Sequence, residues 1–232
     1  MYALNGWVND TAGRPVEGAR VEVLSGPQTG ASALTNRDGE FAFTESFAAV
    51  PEMRSSKAGY RQDRSDVFVF TASSIRGLFR LGSLNPPVDF GGAYELTFIA
   101  DPACTALPAE ARVRRYQTTL DDSDHTFQLL TLSGASFARP NGGYAWNAIY
   151  LQAYENFVNL NFSDPAVWEL LDGPASVYIE GAAAGVISGS STELRLTGEF
   201  EFCGATITAG AGECEQERSC KSSNHTLTLT RR

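Results

Sequence analysis

Short runs in which apolar and polar side chains alternate dominate the chain, broken about every 8 to 12 residues by Gly, Asp, Asn or Pro. Over 19–24, Ala19, Val21 and Val23 share one side of an extended segment and Arg20 and Glu22 the other. Strands are expected over 3–8, 19–24, 31–35 and 40–44, with Phe41 and Phe43 inward after the tight turn Asn36-Arg37-Asp38-Gly39. A further strand ends at 58–60, and 66–70 pairs back. The second half has longer runs, over 94–100, 112–120, 126–132, 144–162 (one long strand or two short), 166–171, 175–183, 192–202 and 226–230. Over 192–202, Leu194, Leu196, Phe200 and Phe202 oppose Glu193, Arg195, Thr197, Glu199 and Glu201. Helical periodicity is nearly absent, so the chain reads as all-β. About eight antiparallel strands with short connections fit an up-and-down barrel or an eight-stranded sandwich in the second half. Between the halves, Asn85-Pro86-Pro87 stiffens and Gly91-Gly92 ends a linker. The expected organisation is a domain at 1–84, a linker at 85–92 and a second domain at 93–232.

With 43% hydrophobic and 19% charged residues the 232-residue chain has enough apolar material for a real core. The net charge of -9 repels phosphate backbones, which argues against nucleic acid and anionic lipid as partners. No apolar run approaches the roughly 20 residues of a membrane-spanning helix. Met1 stands directly before a strand-like run with no charged-then-apolar leader, which reads as a mature chain whose leader was removed and a methionine added.

Four cysteines, Cys104, Cys203, Cys214 and Cys220, are compatible with two disulfides. Three lie in or beside polar loops, where free thiols would be a liability. No CxxC pair exists, and the two histidines are not at zinc-ligand spacing. Cys104 follows the second domain's first strand and Cys220 precedes its last, and in a closed antiparallel meander those strands are neighbours. The expected pairs are Cys104–Cys220 and Cys203–Cys214, the second clipping a Gly-rich loop. Oxidised cysteines place the chain outside the cytoplasm: secreted, periplasmic or at the cell surface.

The segments Gly6-Trp7-Val8-Asn9-Asp10, Gly13-Arg14-Pro15-Val16-Glu17-Gly18-Ala19-Arg20-Val21, Thr35-Asn36-Arg37-Asp38-Gly39-Glu40-Phe41 and Lys57-Ala58-Gly59-Tyr60 carry a resemblance. Over residues of about 3–84 the chain resembles the carboxypeptidase regulatory-like domain, in the group of transthyretin-like and collagen-adhesin B-type repeats. The resemblance implies a seven-stranded sandwich serving as a spacer, a stabilising appendage or a carbohydrate-contacting module. Some adhesin relatives join a Lys to an Asn between first and last strands; the first strand here has no Lys, so that cross-link is not expected. The second domain has the size of a lipocalin-like barrel without that family's signature residues.

No catalytic apparatus is recognisable. His125 falls in a turn and His225 at a strand start, positions that favour solvation. Gly185-Val186-Ile187-Ser188-Gly189 is one residue wrong for a nucleophile elbow. Glu199 and Glu201 share a strand face, as a glycosidase pair would, but the same face carries Glu193, Arg195 and Thr197 and reads as a solvated wall. Asp121, Asp122 and Asp124 lack the ligand ladder of a calcium loop. Neither a cofactor nor a metal is expected. Three Asn-x-Ser/Thr triplets matter only in a eukaryotic secretory pathway.

The chemically suggestive feature is a stripe, Tyr144, Trp146, Tyr150 and Tyr154, on one face of an extended segment with Gln152 between. Ala145, Ile149, Leu151 and Ala153 occupy the other face. Such rings suit half-wet positions and stack on sugar rings; alternatively the face packs on the first domain or fills a barrel. Three functions follow: a non-enzymatic extracellular or cell-envelope interaction or structural module that binds another extracellular protein, a glycan-binding protein using the stripe, or a carrier of a small apolar ligand inside a barrel.

Overall fold

The computed structural model describes residues 1–85, 88–121, 126–138, 146–163, 166–172, 175–204 and 217–232. It divides into two compact units, Met1–Pro87 and Val88–Arg232, each with its own apolar core.

The first unit contains seven strands: β1 (Ala3–Asp10), β2 (Arg20–Val23), β3 (Ser32–Leu34), β4 (Glu40–Ala42), β5 (Met53–Ser56), β6 (Tyr60–Thr71) and β7 (Ser74–Ser83). They form two sheets, β4-β1-β7-β6 and β3-β2-β5. Alternation selects the core face: Leu4 and Val8 of β1 meet Val21 and Val23 of β2, with Phe41, Ile75 and Phe79 between the sheets.

The resembling segments do definite physical work. The buried Asp10 carboxylate accepts the backbone N–H of Ala12 (2.9 Å) and of Arg14 (3.0 Å), while Arg14 Nε donates to its other oxygen (2.7 Å). That arrangement fixes the turn after β1. Thr35 Oγ1 donates to Val16 O (2.6 Å) and accepts from Ala19 N (2.8 Å), pinning the crossing around Pro15 to the start of β3's return. Asn36 Oδ1 accepts from Asp38 N and Glu40 N, and Gly39 adopts φ +72, which closes the turn into β4.

One sequence expectation fails here. The strand over 66–70 is part of a longer one: β6 runs from Tyr60 to Thr71 and turns at Ala72-Ser73 into β7. The pattern was hidden because β6 is exposed along nearly its whole length and so has no apolar period.

The second unit opens with β8 (Gly92–Ile99), a single helical turn α1 (Ala109–Arg112), β9 (Val113–Leu120), β10 (Phe127–Thr131) and β11 (Ser136–Phe137). There follow β12 (Ala148–Tyr154), β13 (Phe157–Asn161), β14 (Val167–Leu170), β15 (Ser176–Val186), β16 (Ser191–Cys203) and β17 (Glu217–Arg231). The main sheet is ordered β10-β12-β13-β15-β16-β17-β8-β9, with β14 on β15 and β11 on β14. Its two edges almost meet. Gln117 and Ser133 exchange backbone hydrogen bonds of 2.9 and 2.8 Å, and Thr118 Oγ1 donates to Thr131 O (3.0 Å). The result is a nearly closed antiparallel barrel.

Closure needs a sharp bend in β15 and β16, and glycines supply it. Gly181 and Gly198 face each other across the ladder. A Cβ on Gly198 would stand 2.0 Å from Glu180 O, and one on Gly181, whose φ is +143, would stand 2.3 Å from Thr197 O. The interior is filled by side chains. Phe98 packs edge-on to Phe162 with centroids 5.4 Å apart and to Tyr116 at 5.6 Å, with Leu96, Leu196, Phe200 and Leu227 around them.

A polar group crosses this core. Glu169 of β14 is 4% exposed. Its carboxylate accepts Arg114 Nε (2.6 Å) and Arg114 Nη2, and also the hydroxyl of Tyr116 (2.8 Å). Burial, reinforced by the Glu169 charge, pushes the Tyr116 phenol well above its ordinary pKa. Arg114 Nη1 also donates to Glu110 O (2.9 Å), so one guanidinium ties β9 to both α1 and β14.

Cys104 and Cys220 are joined, with Cα atoms 5.6 Å apart and a separation of 116 in sequence. The neighbouring-strand argument therefore holds, with one correction. Cys220 does not precede the last strand but lies inside β17, opposite Phe200. The polar run from Arg218 to Asn224 concealed the strand's first half. Cys203 is also disulfide-bonded; its expected partner Cys214 lies outside the described residues.

His225 likewise departs from expectation. It is not solvated but 1% exposed, its ring 4.7 Å from that of Phe200. Its Nδ1 accepts the backbone N–H of Asp101 (2.8 Å). The β17 ladder shifts register opposite Leu196 and Gly198 and tucks the imidazole under the Cys104 loop. Asp101, the facing carboxylate, accepts Ser222 Oγ (2.6 Å) and is held below its ordinary pKa chiefly by that bond. Burial lowers the His225 pKa. The unfolded chain, where His titrates near about 6.5, thus binds the proton more readily than the native one. Native stability is therefore expected to fall as pH drops below about 6.5 and until the lowered folded pKa is passed. Thermal melts from pH 7 to 5 should show this slope, and His225→Leu should remove it while lowering the melting temperature at every pH.

Candidate functional site

Alternation on β12 sorts its side chains: Ile149, Leu151 and Ala153 enter the core, whereas Tyr150, Gln152 and Tyr154 lie half-exposed on the outer face. Trp146, just before β12, is also half-buried, and Tyr144 lies outside the described residues. The stripe does not act as one row. Of its described members, Trp146 joins one group of rings and Tyr150 another.

The first group gathers Trp146, Trp168 of β14 and Tyr178 of β15. Trp168 N donates to Trp146 O (2.9 Å), and Trp168 stands opposite Tyr178 in the ladder. The rings follow this backbone arrangement. Trp146 and Trp168 centroids are 5.4 Å apart at 79°, Trp146 and Tyr178 6.0 Å at 51°, and Trp168 and Tyr178 6.4 Å at 85°. Edge-to-face packing of this kind suits the ring quadrupoles. The Trp168 indole N–H is buried without a hydrogen-bond partner in the described structure.

Carboxylates border these rings. Tyr178 Oη donates to Glu180 Oε2 (3.0 Å). Glu201 lies opposite Tyr178 and Glu199 opposite Glu180. Burial, followed by the charges of Glu217, Glu199 and Glu180, raises the Glu201 pKa. Glu199 also faces Lys221 across the β16–β17 ladder. These carboxyls stand side by side on one sheet face, not across a cleft from one another. The wall can accept hydrogen bonds from hydroxyls. It lacks the facing pair that acid–base cleavage of a glycosidic bond uses.

The second group is Phe127 and Tyr150, stacked with centroids 5.6 Å apart at 28°. Gln152 faces Asn159, and Tyr154 faces Phe157, across β12 and β13. Leu129, 54% exposed, is the cross-strand neighbour of Tyr150. It also lines a shallow groove of about 400 Å³ where the barrel edges approach, bounded by Gln117, Thr119, Thr131 and Ser133. In the first unit a second concavity, about 320 Å³, lies beside Trp7, Asn36, Glu40 and Arg76.

The first unit combines the two-sheet, seven-strand arrangement with the Asp10–Arg14, Thr35 and Asn36–Gly39 contacts described above. Residues 3–102 match the carboxypeptidase regulatory-like domain. The match spans all of the first unit except Met1 and Tyr2 and extends through β8 of the second. No curated protein and no solved structure matches the chain. A regulatory-like domain is a non-catalytic β-sandwich module, and its polar contacts here are those of turns and strand crossings.

Sequence reasoning missed Trp168 and Tyr178 because their approach to Trp146 depends on long-range register. A signal existed, since both alternate with core residues: Val167 flanks Trp168, and Val177 and Ile179 flank Tyr178. Of the three aspartates weighed for calcium, Asp122 and Asp124 lie outside the described residues, as does His125. Among the described residues, no three His, Cys, Asp or Glu side chains converge as a metal site would require.

Proposed function

We propose that the chain is a non-enzymatic interaction module of the extracellular space or cell envelope, with the regulatory-like domain as spacer and the outer face of the barrel as recognition surface. The observation that carries this reading is the distribution of chemistry. The barrel interior is filled with side chains, whereas half-exposed indole and phenol rings gather on the outer face beside carboxylates and amides. The Cys104–Cys220 bond supports an oxidising compartment. Among the described residues no helix is long and apolar enough to cross a membrane.

A glycan is the ligand class favoured by this surface. Pyranose faces stack on Trp and Tyr rings, and sugar hydroxyls donate to Glu180, Glu201 or the amide oxygens of Gln152 and Asn159. A glycan array followed by calorimetry tests it. Retention of a defined oligosaccharide is expected, weakened at least about tenfold by Trp168→Ala or Trp146→Ala, which corresponds to about 1.4 kcal/mol. Binding that both variants leave unchanged excludes the Trp group as the site. An array with no retained glycan leaves a protein-binding or purely structural module.

A further inference from the structure

We propose that the hollow on the outer face of the β4-β1-β7-β6 sheet binds a sugar-sized hydroxylated carboxylate, with Arg76 taking the carboxylate. Strand register builds the hollow. One row across three strands reads Ala42, Asn5, Arg76, and the next reads Glu40, Trp7, Leu78. These six face solvent, since their chain neighbours Leu4, Val8, Phe41, Ile75 and Phe79 enter the core. Ala42 and Asn5 are short. The taller Trp7, Glu40 and Arg76 stand around them, and Asn36 completes the lining of a space of about 320 Å³. The first unit holds nine Lys or Arg and nine Asp or Glu, so it does not share the acidity by which the whole chain repels anions. The site belongs to that unit and stands whether or not the rings around Trp146 bind anything.

Arg76 is a half-buried cation already held in place. Its guanidinium lies 3.8 Å from the centroid of the Phe70 ring and 4.8 Å from that of Trp7, one ring from each strand flanking β7. The β6–β7 ladder shifts between Val69 and Thr71, so Phe70 has no residue opposite it and its ring lies across Arg76 instead. Bulges of this kind re-aim side chains and recur beside active sites. Ring contacts use the guanidinium's charge and leave its planar N–H fork for a bidentate acceptor. Among the described residues that fork makes no hydrogen bond or ion pair; Asp66, one row away, is engaged by Arg64 at 3.6 Å. A carboxylate is the planar acceptor that fits, and Asn5, beside Arg76 in the ladder, adds an amide donor. The far end of the hollow asks for hydroxyls. Glu40 Oε2 accepts Asn36 Nδ2 (3.2 Å), and this exposed carboxylate has further lone pairs to offer. Its charge opposes a dianion such as phosphate more than a monoanion. The Cα atoms of Glu40 and Arg76 stand about 12 Å apart by strand spacing and rise, which side chains of their length reduce to the span of one sugar ring.

Nuclear magnetic resonance of the full, isotope-labelled chain tests the site, reading the Arg76 Nε–H and Trp7 indole N–H signals during titration with sodium glucuronate at constant ionic strength. Both signals are expected to shift saturably with Kd of about 0.1 to 1 mM, as suits one small ligand in an open hollow. Glucose, which lacks the carboxylate, should bind at least about tenfold more weakly. Arg76→Lys keeps the charge and loses the fork, so it should weaken glucuronate at least about tenfold with an unchanged circular dichroism spectrum. Inorganic phosphate should bind the wild type more weakly than glucuronate does, and Glu40→Gln should narrow that difference. A wild-type chain with no saturable shift up to about 20 mM glucuronate overturns the proposal. So does glucose or phosphate binding as tightly as glucuronate, an Arg76→Lys chain that binds undiminished, or a phosphate difference that Glu40→Gln leaves unchanged.

Discussion

Replacing both Cys104 and Cys220 by Ala should destabilise the second unit by about 4 to 5 kcal/mol and leave the first unit's transition where it is. The size follows from the 116-residue separation, because the bond removes the loop-closure entropy of most of that unit from its unfolded ensemble. The position adds to it. The bond clamps the loop after β8 onto the first half of β17, which is largely polar and contributes few core side chains before His225. For a unit of this size the loss corresponds to a drop in melting temperature of roughly 10 to 18 °C. Calorimetry of the double variant measures it. The independent cores predict that only one of two transitions moves. A shift under about 1 kcal/mol would mean that the ladder alone holds β17 in place.

The parts of this molecule that were legible in its sequence are those governed by local alternation and turn chemistry. Leu194, Leu196 and Phe200 point inward on β16 because a strand's period is two, and Gly39 ends a turn because its φ is positive. The Cys104–Cys220 bond was accessible because a closed meander makes its first and last strands neighbours. What was not legible depends on register between distant segments or on the absence of a buried face. The aromatic group around Trp146 needs β14 and β15 in their particular alignment. β6 has almost no buried side, so its sequence shows no period, and the polar half of β17 was silent for the same reason. Glu169 and His225 look like surface residues in the sequence, and only the folded barrel gives them partners inside.

Glu169→Gln should cost about 3 to 5 kcal/mol, a large effect for a change that preserves shape. The carboxylate accepts two guanidinium N–H groups from Arg114 and the Tyr116 hydroxyl, in a site where Arg114's side chain is 21% exposed and Glu169's 5%. An amide has one oxygen for these donors and turns its own N–H groups toward Arg114, leaving a poorly hydrated positive charge without its counterion. The loss should therefore exceed what removal of the whole group causes. Arg114→Met with Glu169→Leu and Tyr116→Phe removes donors and acceptor together and leaves an apolar contact between β9 and β14. That triple variant is expected to be more stable than Glu169→Gln alone, because a buried ion pair returns little beyond its own desolvation cost. Urea denaturation of the wild type, Glu169→Gln and the triple variant decides the point. A triple variant less stable than Glu169→Gln would show instead that the network contributes net stability through the geometry it imposes on Arg114, which also holds α1 through Glu110 O.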